Sequence, residues 1–243
     1  MRPIWLEKAE TVSRTRQRMY AVMQWAWAHG HVSSNPVSVV DHILPNQGAK
    51  KEHQPAMPWR DVPAFTKARL RDIGPSDNSR AALLFLILTA ARSGEIRGAT
   101  WGEFDLKAGI WTVPGERMKA KVPHRVPLSA AALDIVKTLK EQKQHKTLAF
   151  PSPRGKVLSD MTLTALLRRV KAKGDTPGRV ATAHGYRSSF RDWTSENGYV
   201  RDLAERALAH TIANKVEASY HRTDLLELRY PMMEAWAAHV CGG

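Results

Sequence analysis

The sequence predicts a mainly α-helical protein with one small antiparallel β-sheet, an α+β fold. Three observations carry this. Most segments repeat their apolar residues at helical spacing, two short β-branched or aromatic runs sit near the middle of the chain, and no internal repeat is present. With 243 residues, 43% hydrophobic and 25% charged, the chain can bury a sizeable core and carries no low-complexity bias.

Residues 12–29 place Val12, Met19, Val22, Met23 and Ala26 at helical spacing, and Gly30 followed by Asn35-Pro36 ends the pattern. From Asp41 to Pro58 the text is polar and broken by Pro45, Gly48, Pro55 and Pro58, which predicts a linker over 46–56 between residues 1–45 and a larger unit, 57–243. Helices are expected at 60–72 and 78–91, with Gly74-Pro75 between them. Gly109 to Val113 and Arg125 to Leu128 read as antiparallel strands joined by a connection containing Pro114-Gly115 and the basic stretch Arg117 to Lys121. Helical patterns then cover 129–144, 159–171, 185–196, 200–209, 213–220 and 224–240. In the last of these, Asp224 and Glu227 are spaced as a capping box, Leu225, Leu228, Met232 and Trp236 form an apolar stripe, and Pro231 predicts a kink or restart.

Lys and Arg total 37 against 23 Asp and Glu, a net charge of +14, so a polyanion is the first partner to consider, nucleic acid ahead of a membrane surface. The one cysteine, Cys241, allows no intrachain disulfide, and residues 1–30 hold no apolar stretch of the signal-peptide kind, so a cytoplasmic setting is expected. The longest apolar run, Ala81 to Ala91, is about half the ~20 residues a membrane span needs. The ten histidines form no His-Glu-x-x-His and have no Cys pair beside them, and there is neither a GxxxxGK[ST] nor a GxGxxG, so no metal or cofactor is expected.

Three clusters hold residues suited to chemistry: Thr89-Ala-Ala-Arg92-Ser-Gly-Glu95, then His184-Gly-Tyr-Arg187, and Leu208-Ala-His210 followed ten residues later by Tyr220-His-Arg222. Taken singly, each matches ordinary surface or core positions, because short matches are common. In this order and spacing the sequence resembles the tyrosine recombinase, or phage integrase, family, and is similar to integrases of the satellite-phage and genomic-island type. The resembled signature runs as an Arg after a core helix, a Lys on a β-hairpin, His-x-x-Arg, a further His, and a Tyr near the C-terminus. Here it falls on Arg92, Lys119 in ERMKAKVPHRVPLS, His184 and Arg187, His210, and Tyr220 in KVEASYHRTDLLE. The resemblance covers about residues 57–240 and implies a tyrosine recombinase catalytic-domain fold, with residues 1–45 as the last part of a helical core-binding domain. The earlier part of that domain and an arm-binding domain are expected to be missing.

The chemistry implied suits these residue types. Two planar guanidinium forks, Arg92 and Arg187, can each grip phosphate oxygens, where a Lys offers only a point charge. A phenol with an ordinary pKa near 10 is only about 0.1% ionised at pH 7, a handicap of about 4 kcal/mol, so Tyr220 needs help. His184 is the candidate base, Lys119 the candidate acid for the leaving 5′ oxygen, and His210 a donor to the scissile phosphate. Glu95 is expected to orient Arg92. Lys121 would share a face with Lys119 if the segment were extended, and the family pattern favours Lys119. Among the other tyrosines, Tyr230 is the rival nucleophile, while Tyr20, Tyr186 and Tyr199 read as core or partly buried.

Arg117, Lys121 and Arg125 around the hairpin, with Arg168, Arg169, Lys171 and Lys173 farther on, are expected to contact DNA phosphates. The resemblance implies that the C-terminal helix docks its stripe on a neighbour, coupling sites in a homo-tetramer on double-stranded DNA. The expected activity is site-specific recombination through a 3′-phosphotyrosyl intermediate, in prophage or genomic-island integration and excision. Type IB topoisomerase-like relaxation and a catalytically idle DNA-binding fragment are the rival readings.

Overall fold

The computed structural model describes residues 4–45, 47, 53–210 and 223–242. The chain divides into two compact units, Met1–His53 and Gln54–Gly243. The smaller consists of helix α1 (Ala9–Ala28) and a single turn, α2 (Val40–Ile43). Trp5, Val12 and Val37 are its buried apolar side chains, while Met19, Tyr20, Val22, Trp25 and Trp27 stand exposed. Tyr20 is therefore a surface residue, contrary to the sequence reading. Polar anchors close the unit: Trp5 Nε1 donates to the Pro45 carbonyl at 2.7 Å, and Asn35 Nδ2 donates to Gln24 Oε1 at 3.0 Å.

The larger unit is built around α4 (Asn78–Thr89), which follows α3 (Val62–Arg69). Asp77 caps α4 by accepting from the Arg80 amide, and all but three of its residues are buried, as befits a segment apolar on every side. Ala90 ends it in the left-handed region, φ 50°. Helix α5 (Ser93–Arg97) follows at once. The sheet has order β1-β2-β3, from β1 (Phe104–Asp105), β2 (Ile110–Val113) and β3 (His124–Pro127), all antiparallel. Thr112 faces Arg125 and Val113 faces His124, so residues 114–123 form a long connection across the hairpin. Helices α6 (Ala130–Glu141), α7 (Thr162–Arg169), α8 (Gly185–Glu196), α9 (Arg201–Ala207) and α10 (Leu226–Cys241) complete the unit. Phe85 gathers Trp111 and Phe150 at ring distances of 5.4 Å in the centre of the core.

The expected helices and both expected strands are present, except that 213–220 lies outside the described residues. Helix α5 and strand β1, of five and two residues, are additions that no periodicity could announce. Helix α10 runs through Pro231 without a restart, since the missing N–H leaves only the carbonyl of exposed Glu227 without its helical partner. The expected capping box does not form: Leu225, at φ 52°, is the N-cap, and the Asp224 carboxylate accepts from the Leu226 amide at 3.3 Å while also pairing with Arg125.

The stripe expected to dock on a neighbour lies instead in the chain's own core. Met232 and Trp236 are fully buried, Trp236 Nε1 donates to the Ile87 carbonyl at 2.7 Å near the end of α4, and only Leu228 is well exposed. Burying two such large side chains against α4 satisfies the stripe at home, leaving little of it for a second molecule.

Pro55 and Ala56, at the end of the stretch read as a linker, are buried against the start of α8. Thr182 N donates to the Pro55 carbonyl at 2.9 Å, Asp175 N donates to the Ala56 carbonyl at 2.7 Å, and Ser189 Oγ bonds the Met57 carbonyl. The approach is so close that a Cβ on Gly185 would sit 2.1 Å from the Pro55 oxygen. Gly185→Ala therefore forces backbone apart, and a destabilisation of about 3 kcal/mol or more is expected in urea unfolding; a loss below about 0.5 kcal/mol would contradict this packing.

Candidate active site

Two helix ends and one buried arginine organise the site. Arg187, on the first turn of α8, is 4% exposed. Its Nη1 donates to the Ala90 carbonyl at 2.6 Å, where α4 ends, and its Nη2 to the Leu208 carbonyl at 2.5 Å, where α9 ends. Carbonyls at helix C-termini lack intrahelical partners and carry the negative end of the dipole, so they suit a cation. Burial, and then the neighbouring Arg92 charge, lower the Arg187 pKa to about 10, which still leaves it cationic at neutral pH.

Arg92 stands as the N-cap of α5, directly after the turn that ends α4. Its backbone N–H donates to Glu95 Oε2 at 2.8 Å, its Nη1 to Glu95 Oε1 at 2.9 Å, and its Nη2 to the Ala209 carbonyl at 3.1 Å. Glu95, 3% exposed, thus holds both the backbone and the guanidinium of Arg92, the orienting part its spacing suggested.

His184 precedes α8 and is exposed at the mouth of the site. Partial burial lowers its pKa, and the charges of Arg187, Arg92 and His210 lower it further, so it is a neutral base at pH 7. His210 follows a left-handed turn at Ala209, φ 48°, and places Nδ1 2.5 Å from Glu205 Oε2. Lys119 comes from the β2–β3 connection, where Met118 beside it is buried as an anchor. Together Arg92, Lys119, Ala120, His184, Arg187, Glu205, Ala209 and His210 line one cleft of about 340 Å³. Five of the six residues singled out for catalysis thus converge. The sixth, Tyr220, lies outside the described residues.

The hairpin separates the two lysines that periodicity could not. Lys121 is not extended but left-handed, φ 58°, and turns its Nζ onto the Glu116 carbonyl at 3.3 Å, while Lys119 faces the cleft. Arg117 and Arg125, expected to contact DNA phosphates, are both paired within the chain. Arg117 donates from Nη1 to the Glu95 carbonyl at 2.8 Å, and its Nη2 pairs with Glu103. Arg125 makes a bidentate pair with Asp224, 2.8 Å on each arm, which raises its pKa. Arg168 and Arg169 on α7, and Lys171 and Lys173 beyond it, are exposed. Tyr186 is buried, with its ionisation pushed far up by desolvation; the rival Tyr230 donates its hydroxyl to the Ala108 carbonyl at 2.8 Å.

Three groups escaped the sequence reading. Glu205 shares the cleft. His124, at the start of β3, hydrogen-bonds the Ala207 backbone, and burial, then the charge of Arg229, lower its pKa to about 4. Arg229 itself is fully buried, with its guanidinium nitrogens making no hydrogen bond among the described residues; the Asp224 carboxylate, 3.3 Å away, is its counter-charge. A lone Arg in an amphipathic helix gave no warning of this.

The phage integrase family model matches residues 71–225, and the phage integrase central domain model matches residues 1–42. The chain belongs to the phage integrase family. This chain is 33% identical over 249 residues to the integrase of Enterobacteria phage P4, covering 96% of itself and 55% of that protein. It is 32% identical over 230 residues to prophage integrase IntA of Escherichia coli K12, covering 94% of itself and 54% of the relative. It therefore spans about half the length of these relatives. Its fold is shared with a lambda integrase dimer bound to a COC′ core site, at TM-score 0.61 and 21% identity over 90% of this chain and 76% of that one. The same holds for the Tn1549 transposon integrase in complex with circular intermediate DNA, at TM-score 0.61 and 14% identity over 87% and 78%.

Removing the carboxylate in Asp224→Ala leaves Arg229 buried without a counter-charge, and a loss of about 3 kcal/mol is expected in denaturant unfolding at pH 7. Burial pushes the Asp224 carboxyl up, but the Arg125 hydrogen bond and the charges of Arg229 and Arg125 outweigh it and hold the group below its ordinary 3.8. Its contribution is accordingly complete above that value, and the difference between variant and parent shrinks as pH falls below it.

Proposed function

We propose that this chain is the catalytic portion of a site-specific tyrosine recombinase that integrates or excises a prophage or genomic island, acting on double-stranded DNA in the cytoplasm. The observation that carries the reading is the convergence of two guanidinium forks, a lysine and two imidazoles on one open cleft, a donor set matched to a phosphodiester under attack. Residues 57–243 would be the catalytic domain, residues 1–45 the end of a core-binding domain and 46–56 the linker.

In this mechanism Arg92 and Arg187 bind the non-bridging oxygens, where negative charge grows as the phosphorus gains a fifth ligand. Both are oriented before DNA arrives, by Glu95 and by the helix-end carbonyls, so little reorganisation is needed during reaction. Tyr220 attacks the phosphorus while its proton passes to His184, which partial burial and then the neighbouring arginines keep neutral and ready to accept. Lys119 protonates the departing 5′ oxygen, and His210 donates to the phosphate. The products are a 3′-phosphotyrosyl bond and a free 5′ hydroxyl; attack by the 5′ hydroxyl of a second strand reverses the step and restores the phenol. The exchange conserves bond energy, so ATP is not consumed.

Exposed Arg168, Arg169, Lys171 and Lys173 would bind flanking phosphates without reading sequence. Assembly as a homo-tetramer on DNA is part of the reading. Because the stripe of α10 is buried at home, any contact that helix makes with a neighbour falls to its outer face, including Glu227, Leu228, Pro231 and Glu234.

On supercoiled plasmid in EDTA, a covalent protein–DNA adduct is expected on denaturing gels for the parent chain and none for Tyr220→Phe. An adduct unchanged in that variant refutes the nucleophile. Salt-sensitive DNA binding with no adduct in either protein favours the idle-fragment reading instead.

A further inference from the structure

His210 meets the cleft through an arrangement that the catalytic signature does not include. Its ring Nδ1 lies 2.5 Å from Glu205 Oε2, and its backbone N–H donates to the Glu205 carbonyl at 3.0 Å. Glu205 projects from α9, five residues earlier, and is itself held from the other side: Oε1 accepts from Arg191 Nε of α8 at 3.2 Å and lies 3.8 Å from Arg201 Nε. The carboxylate is thus clamped between α8 and the segment that carries His210. It also lines the cleft beside Arg92 and Arg187.

We infer that Glu205 is a positioning residue for DNA cleavage: by accepting from Nδ1–H it fixes the orientation of the His210 ring and presents Nε2 to the phosphate, to which Nε2 donates when the ring carries both protons. The inference rests on the proposed recombinase reading. The chemical logic is one-sided. Burial pushes the Glu205 carboxyl up, but the hydrogen bonds from His210 and Arg191 outweigh it and hold the group below its ordinary value, so it is ionised at neutral pH. An ionised carboxylate can only accept. The facing Nδ1 must therefore be the donor, which leaves Nε2 as the atom free to turn toward the cleft. Without the carboxylate, the ring is free to rotate about χ1 and χ2, so that Nε2 is no longer held toward the phosphate, and Arg191 loses its bridge to α9. Catalysis that depends on a preset ring then suffers in rate more than in DNA affinity, because the phosphate grip of Arg92 and Arg187 is untouched.

The test has two independent readouts. The first is ¹⁵N NMR of histidine-labelled protein at pH 8.5 without DNA, with the His210 signals assigned through His210→Gln. The parent is expected to show His210 with the proton on Nδ1, and Glu205→Ala to shift it toward Nε2–H. A parent ring protonated on Nε2, or a pattern unchanged in the variant, overturns the inference whether or not the chain cleaves DNA. The second is single-turnover adduct formation at saturating DNA. Glu205→Ala is expected to slow it about 10- to 100-fold with DNA affinity within about twofold. Glu205→Gln, whose amide oxygen still accepts from Nδ1–H, is expected to restore the rate to within about fivefold of the parent, and its urea unfolding curve shows that the fold is intact. Parent-like cleavage by Glu205→Ala overturns the inference and leaves the recombinase reading standing. Absence of adduct in the parent strikes the reading itself, while the NMR result still decides the tautomer.

Discussion

The burial of the Arg187 guanidinium between two helix ends is the constraint on which the site depends. A charge placed there without partners would be severely destabilising, and the fold supplies them as the carbonyls of Ala90 and Leu208. Both helices must stop where they do for those oxygens to be available. Each stop is made by an alanine in the left-handed region, Ala90 at φ 50° and Ala209 at φ 48°, a conformation that alanine adopts only at a cost. The same two turns deliver two more residues of the cleft. Arg92 begins the helix after Ala90 and bonds the Ala209 carbonyl, and His210 follows Ala209. One buried cation thereby fixes the relative positions of α4, α8 and α9 and of the side chains at their ends.

The electrostatics of the cleft follow from the same economy of carboxylates. Arg92, Lys119 and Arg187 face it with His184 and His210, and the two acids nearby are already engaged within the chain: Glu95 with Arg92, and Glu205 with His210 and Arg191. The acids orient the donors and leave the positive field largely unneutralised. That field is what lowers the pKa of His184 beyond its burial, and it is what an anionic phosphate would complete. Around Arg125, Asp224 and Arg229 the arginines are instead paired within the chain, one carboxylate serving both and anchoring the start of α10 to β3.

Much of the fold was legible because long helices announce themselves by period. Helices α4, α6, α8 and α10 carry enough turns for apolar spacing and flanking turn residues to agree, whereas α5 and β1 are too short for any period. The proposed catalytic set, of which Arg92, Lys119, His184, Arg187 and His210 line the cleft, was read through order and spacing, not through any single residue. What the sequence could not reveal depended on local geometry. Alternation put Lys119 and Lys121 on one face, but the left-handed turn at Lys121 breaks the alternation and lets Lys119 alone reach the cleft. Arg117 looks like its basic neighbours in the text, yet its partner Glu103 lies fourteen residues away and on another element. An apolar stripe states that α10 is covered without stating by what, and the cover proves to be this chain's own α4. Glu205 was overlooked because its link to His210 spans the end of a helix, where ordinary three- and four-residue spacing no longer applies.

Arg92 and Arg187 are proposed to meet the negative charge of a phosphodiester under attack. The most direct measurement compares single-turnover cleavage by the parent chain and by Arg92→Ala on two DNA substrates, one natural and one carrying a neutral methylphosphonate at the scissile position. On natural DNA the variant is expected to be slower by about 10²- to 10³-fold, the usual effect of losing one such donor. On the methylphosphonate, which has no second anionic oxygen to neutralise, most of that deficit should vanish. An equal deficit on both substrates would contradict the account and assign Arg92 to holding the fold.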